Sequence, residues 1–266
     1  MPALAILIGL ICALAPLSAM AEGNIAAIRF AHYEVLNQQY SSVANTPGAG
    51  SNNHNLRLCR EFLPKFLALA KESPDDEAAL RCCEWIIVHC RSHSTAGELY
   101  AAETTAWEIV ANNQSEATRL PALCLEAAKS PSPARERFLR SLPADYRQPV
   151  EVHGYAFLAL AELLANKAEL TSDSRHLDEQ APVELRKYFA AINRVHSRQE
   201  SVELFQHVLA HYADIAYIGP TGDTCKSLGE RAAQGLLELK SPQLARKALP
   251  NIIEMPARRF DHFSGK

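Results

Sequence analysis

Ten histidines and seven cysteines are the side chains of this 266-residue sequence best suited to chemistry. Two histidine pairs stand four residues apart, His89 with His93 and His207 with His211. That spacing stacks both imidazoles on one helical face, which is the geometry of a two-histidine metal site. Glu203, one turn before His207, offers a carboxylate, and Cys90 adjoins His89. Two ligands do not close a zinc site, and neither HCRSH nor HVLAH carries the glutamate beside the first histidine that metalloprotease chemistry needs. The expectation is therefore no metal and no cofactor, with these histidines on polar helix faces near C-termini, where positive charge is mildly favoured.

The cysteines depend on the compartment. Residues 2–21, PALAILIGLICALAPLSAMA, hold no charge, run apolar from Leu4 to Leu14 and end in Ala19-Met20-Ala21 before Glu22. This reads as a secretory signal cleaved after Ala21, the alternative being an uncleaved anchor. Pro16 is expected to break its helix, and the apolar run falls short of the ~20 residues of a membrane span. Cleavage removes Cys12 and leaves Cys59, Cys82, Cys83, Cys90, Cys124 and Cys225 for the periplasm or cell envelope, an oxidising place. Ala79, Cys83, Ile86, Ile87 and Cys90 share one helical stripe, so Cys83 and Cys90 read as small core residues. Cys82 points off that stripe, and Cys59, Cys82, Cys124 and Cys225 remain as disulfide or thiol candidates without a pairing. Cys225, in GPTGDTCKS, has Lys226 beside it and a helix start nearby, both of which lower a thiol pKa.

Other catalytic signatures are missing. The sequence contains no G-x-S-x-G, no phosphate-binding G-x-x-x-x-G-K-[ST] and no Cys-x-x-Cys, so no catalytic residue is assigned. With 48% hydrophobic and 21% charged residues, the chain can bury a core, which excludes a disordered tail. Its 27 basic against 30 acidic residues argue against nucleic acid as a partner. The basic run Arg135, Arg137, Arg140 and Arg147 reads as a solvated face, and Asp75-Asp76 as helix-capping residues.

Helical periodicity recurs throughout and strand alternation does not, so the fold class is all-α. The predicted helices are 24–45, 55–72, 75–93, 96–112, 114–129, 132–142, 148–168, 181–195, 198–212 and 225–240. Between them lie Thr46-Pro47-Gly48, Ser73-Pro74, Ser130-Pro131 and Thr171-Ser172-Asp173-Ser174, which punctuate as loops. Large aromatics at Phe66, Trp107, Phe138 and Phe205 each open an apolar stretch followed by a polar break. Their irregular spacing suggests a degenerate tetratricopeptide-like array of helical hairpins, with an ordinary helical bundle as the alternative. Residues 1–21 then form the signal, 22–240 the repeat-like domain and 241–266 an irregular tail.

The strings KFLALAKESPDDEAALRCCEWIIVHC (65–90), GYAFLALAELLANKAEL (154–170) and ELFQHVLAHYADIAY (203–217) resemble the helical N-terminal region of secreted thioredoxin-like proteins of the redoxin, TlpA-type kind found in planctomycete bacteria. In that family a thioredoxin fold with a Cys-x-x-Cys site follows. The resemblance implies an accessory helical region and lends no catalytic residue here. The expected function is an exported, non-enzymatic interaction or scaffolding module of the cell envelope with a protein partner, touching membrane only through an uncleaved signal. The alternative is the accessory region of a thiol-disulfide or peroxide-reducing enzyme whose catalytic domain lies outside this chain.

Overall fold

A computed structural model describes residues 3–45, 52–90, 97–113, 117–170, 181–219 and 223–240, with side chains for all of these except 3–23, 52–53 and 90. His93, the side chains of Cys12 and Cys90, and the tail 241–266 lie outside the described residues. Ten α-helices run through the rest: α1 (Ala3–Ala44), α2 (Asn52–Glu72), α3 (Glu77–Cys90), α4 (Gly97–Asn112), α5 (Leu120–Ala128), α6 (Pro133–Ser141), α7 (Val150–Glu169), α8 (Val183–Ala190), α9 (Arg194–His211) and α10 (Leu228–Lys240). The only β feature among the described residues is an isolated bridge between Ala216 and Ser227. The chain is all-α, as its periodicity predicts.

Local chemistry explains where the helices start and where the expected boundaries moved. Asp76 caps α3 by accepting from the Ala79 amide at 2.8 Å. The expected single helix over 181–195 ends at Ala190, because Asn193 caps a new helix by accepting from His196 N at 3.1 Å. So α9 begins at Arg194, four residues ahead of its expected start at 198. In the same way Ser227 Oγ accepts from Glu230 N at 3.2 Å and sets α10 at Leu228 rather than 225. A 3-10 turn over Ala117–Arg119 takes the place of the expected first turn of α5. The expected break at Pro16 is absent, since α1 continues through it as α2 does through Pro64. An interior proline removes one backbone hydrogen bond but keeps a helical φ.

Packing follows the chain. Helices α1, α2 and α3 pack on one another, α2 and α3 on α4, α4 on α6, α5 and α6 on α7, and α7 and α9 on α10. One apolar core runs through all of them, from Leu36 to Leu239. The bundle alternative fits this arrangement. The four aromatics singled out by spacing, Phe66, Trp107, Phe138 and Phe205, are all buried. Phe66 stacks on Trp85 of α3 at 4.1 Å between ring centroids, and Trp107 of α4 meets Phe138 of α6 at 4.9 Å. Phe205 of α9 lies so close to α10 that a Cβ on Gly235 would come within 2.5 Å of its ring, which requires glycine there. Helix α7 is central, with Leu158, Ala159 and Leu163 fully buried. On α9 Ser197, Ser201, Phe205 and Val208 are buried while Leu209 is exposed. Ser201 fits because its hydroxyl donates to Ala161 O of α7 at 2.7 Å.

A buried ion pair joins the middle of the molecule. Arg135 of α6 is 1% exposed, so it is not part of a solvated face. Its guanidinium binds Glu103 of α4 at 2.6 Å and donates to Glu126 O of α5, while Trp107 Nε1 donates to the same Glu103 carboxylate. Near one end, Arg29 of α1 reaches Asp76 at 2.6 Å, Glu72, and the Leu69 carbonyl, anchoring α1 to α2 and the start of α3.

Candidate interaction surface

His207 and His211 lie ring to ring on α9, 4.5 Å between centroids, with Phe157 of α7 against His207 at 4.6 Å. Burial and then the neighbouring His211 hold the His207 pKa below the ordinary histidine value, which leaves it neutral. Glu203 does not join them: its carboxylate accepts from Gln199 Nε2 at 2.8 Å. Among the described residues no three His, Cys, Asp or Glu side chains converge to hold a metal ion.

His89 is not on a polar face. It sits at the end of α3 against Tyr40 of α1 and Trp85, with centroids 4.8 Å from each. Burial alone lowers its pKa to about 4, so the imidazole is neutral, and its Nδ1 hydrogen-bonds with the Tyr40 hydroxyl at 3.0 Å. It is a polar pin between α1 and α3, placed where no carboxylate stabilises a charged ring.

Of the candidate thiols, Cys59 is buried and donates to the His89 carbonyl at 3.2 Å. Cys82, Cys83 and Cys124 are fully buried, and burial pushes all three thiols up, Cys82 to about 12. Cys83 is the core residue its stripe predicts, and Cys82 is buried just as deeply because α1 covers the side of α3 that it faces. Cys225 reverses its expectation. Partial burial and then the neighbouring Asp223 raise its pKa instead of lowering it. Its Sγ donates to Gln234 Oε1 at 3.2 Å, while Lys226 engages Glu230 through its backbone amide. A protonated thiol of this kind is a poor nucleophile.

An open cleft between α6, α7 and α8 is lined by Pro133, Glu136, Arg137, Arg140, Lys167 and Tyr188. Glu136 is its hub. One oxygen accepts from Arg140 at 2.9 Å, the other from Lys167 at 2.8 Å and from the Tyr188 hydroxyl at 2.7 Å. Burial opposes the charge on Glu136, but these hydrogen bonds outweigh it and hold its pKa below the ordinary value. Tyr188, buried beside that carboxylate, is raised far out of reach of deprotonation. Arg140 also pairs with Glu200 of α9 at 2.6 Å, and Arg137 with Glu184 of α8 at 2.9 Å. Every charge at the cleft has an opposite charge against it, so the network ties helices together and offers no uncommitted acid, base or nucleophile. Sequence reading found Arg137 and Arg140 but not Glu136, Lys167 or Tyr188. The Glu136 to Arg140 spacing is a legible helical pair; Tyr188, 52 residues further on, carries no local signal.

The opposite situation holds on the outer face of α1. Between residues 24 and 45 only Arg29 and Glu34 carry a fixed charge, and Arg29 is buried in its anchor. The exposed positions are Ile25, Ile28, Val35 and Val43 together with alanines, His32, Glu34 and uncharged polar residues. Ile28 is 62% exposed and Ile25 57%. Ile25, Ile28, His32, Val35, Gln39 and Ser42 alternate at spacings of three and four, which draws one seam along the helix beside the face that packs inward. Three of these six, Ile25, Ile28 and Val35, are apolar and leave apolar surface uncovered beside the packed face. Sequence reading took 24–45 as an ordinary helix; its shortage of charge was the available signal. No helix of the described residues is long and apolar enough to cross a membrane. Compared with known proteins, the chain matches no family model, no curated protein and no solved structure.

Proposed function

We propose that this chain is an exported, non-enzymatic interaction module of the cell envelope, built as an irregular tetratricopeptide-like stack of helical hairpins, that takes an apolar helix of a protein partner on the outer face of α1. The observation that carries the reading is the exposed, nearly uncharged seam of Ile25, Ile28 and Val35 on the terminal helix. Local packing supports it: a stack in which each helix meets only near neighbours along the chain leaves its end helix with one side uncovered. The uncharged, apolar residues 2–21 before Glu22 support export.

A photo-crosslinking side chain placed at Val35, and in a second strain at Arg137 in the cleft, tests this in the native envelope. Adducts at position 35 that map onto an apolar helix of another polypeptide, with none at position 137, are expected. Equal adducts at both positions, or none at 35, would contradict it. The exported chain should begin at Glu22 by N-terminal sequencing, and a mature protein that still carries Met1 would remove the export part of the proposal.

A further inference from the structure

We infer that α1 is an acid-released latch: protonation of His89 frees α1 from α2 and α3 and uncovers the aromatic strip of Phe62, Phe66 and Trp85 beneath it, while the rest of the bundle stays folded. The release concerns the inner face of α1 and holds whatever meets the outer one.

The hold on α1 is thin. Of its residues 24–44 only Arg29 and Leu36 are buried, against eleven residues of α7. Leu36 is therefore the one fully buried apolar side chain of this layer, and Tyr33, Tyr40 and Ala44 are only partly buried against the core. Burial of apolar area sets most of the cost of lifting a helix away, so α1 opens at far lower cost than α7. Two polar contacts flank Leu36: Arg29 with Asp76 and Glu72 on one side, and Tyr40 with His89 on the other.

The contact at His89 is the one built to fail in acid. Facing it are the Tyr40 hydroxyl from α1, the Cys59 thiol from α2, which donates to the His89 carbonyl, and the Trp85 ring of its own helix. Burial is the sole cause of its lowered pKa, so no carboxylate in this pocket offsets a charge on the ring. A protonated His89 must reach water, and Tyr40 stands in the way. Trp85 adds a second reason to open. Its indole Nε1 is buried with no acceptor among the described residues, and water satisfies it once α1 lifts. At the other contact, protonation of Asp76 or Glu72 would loosen Arg29 in the same direction, so the test must separate the two.

Hydrogen–deuterium exchange of the purified chain, read by peptide mass with exposure times scaled for intrinsic exchange, does so. The closed form takes a proton on His89 only near pH 4 and the open form near pH 6.5, so the opening constant should rise about 20-fold from pH 7 to pH 5. Protection of α1 should fall by that factor while α7 keeps its own. His89→Gln, which takes no proton, should abolish the fall. In the native chain alone the fall should begin near pH 6.5 and steepen to about 10-fold per pH unit. An α1 whose protection does not change, α1 and α7 losing protection together, an equal fall in His89→Gln, or a fall that begins only in the carboxylate range below about pH 5 overturns the latch.

Discussion

The end of the molecule at α1 and the cleft between α6, α7 and α8 solve the same problem, fixing one helix on others, with different chemistry. In the cleft, Glu136, Arg140, Lys167, Tyr188 and Glu200 are partly exposed and saturate one another. The inner face of α1 is aromatic, with Tyr40 against Phe62 at 5.6 Å and against Trp85 at 4.9 Å, and a neutral His89 supplies a polar contact. The cleft is rich in functional groups and has none to spare; α1 has few and leaves an apolar side uncovered. A cluster of ionisable residues is therefore the less informative of the two surfaces, because its groups are occupied with each other.

The largest expected effect that separates the two regions is the pH response of the contact between α1 and α3. The His89 pKa falls from the ordinary 6.5 to about 4 in the folded chain. Between those values the unfolded chain binds the extra proton, so the stabilisation is complete above about pH 6.5 and is lost progressively down to about pH 4. The whole span amounts to about 3 kcal/mol. Urea unfolding at pH 7 and pH 4 should show that loss in excess of a His89→Gln variant, which retains an acceptor for Tyr40 and does not titrate. Identical pH slopes for the two proteins would place His89 in water rather than between α1 and α3.

A smaller effect is expected in the cleft. Glu136→Ala removes the common acceptor of Arg140, Lys167 and Tyr188 and leaves the latter two half-buried without it. The loss should be about 2 kcal/mol. The smallest belongs to Arg137→Gln. Its pair with Glu184 joins side chains 55% and 50% exposed, so the change in stability should stay below about 0.5 kcal/mol. A loss of several kcal/mol for Arg137→Gln would mean that the cleft is closed and dry, and the contrast with α1 would collapse.

The helices themselves were legible in the sequence, because their periodicity and their Pro, Gly, Ser and Asp punctuation are local. Where boundaries moved, a single side chain decided the outcome, as Asn193 and Ser227 did by capping. The four buried aromatics were legible for the same reason. Burial that depends on tertiary neighbours was not: Arg135 reads as one of four surface arginines until Glu103, 32 residues away, is placed beside it. Cys82 falls off the stripe of its own helix and is buried by α1, and the Cys225 thiol follows Asp223 and its burial rather than Lys226. For the candidate surface the difficulty was of another kind. Ile25, Ile28 and Val35 were plain in the sequence, but an apolar residue on a helix is expected to face inward. Only the packing of α1 on α2 and α3 shows that these three do not.

The account turns on whether the outer face of α1 is covered in the working protein. Val35→Cys and Tyr146→Cys variants, treated with a charged maleimide and read by peptide mass, measure this directly, since Tyr146 is 89% exposed in a turn far along the chain from α1. Both positions should label in dilute purified protein. In intact envelopes position 146 should label and position 35 should be protected. Equal labelling of the two in the envelope would contradict the account.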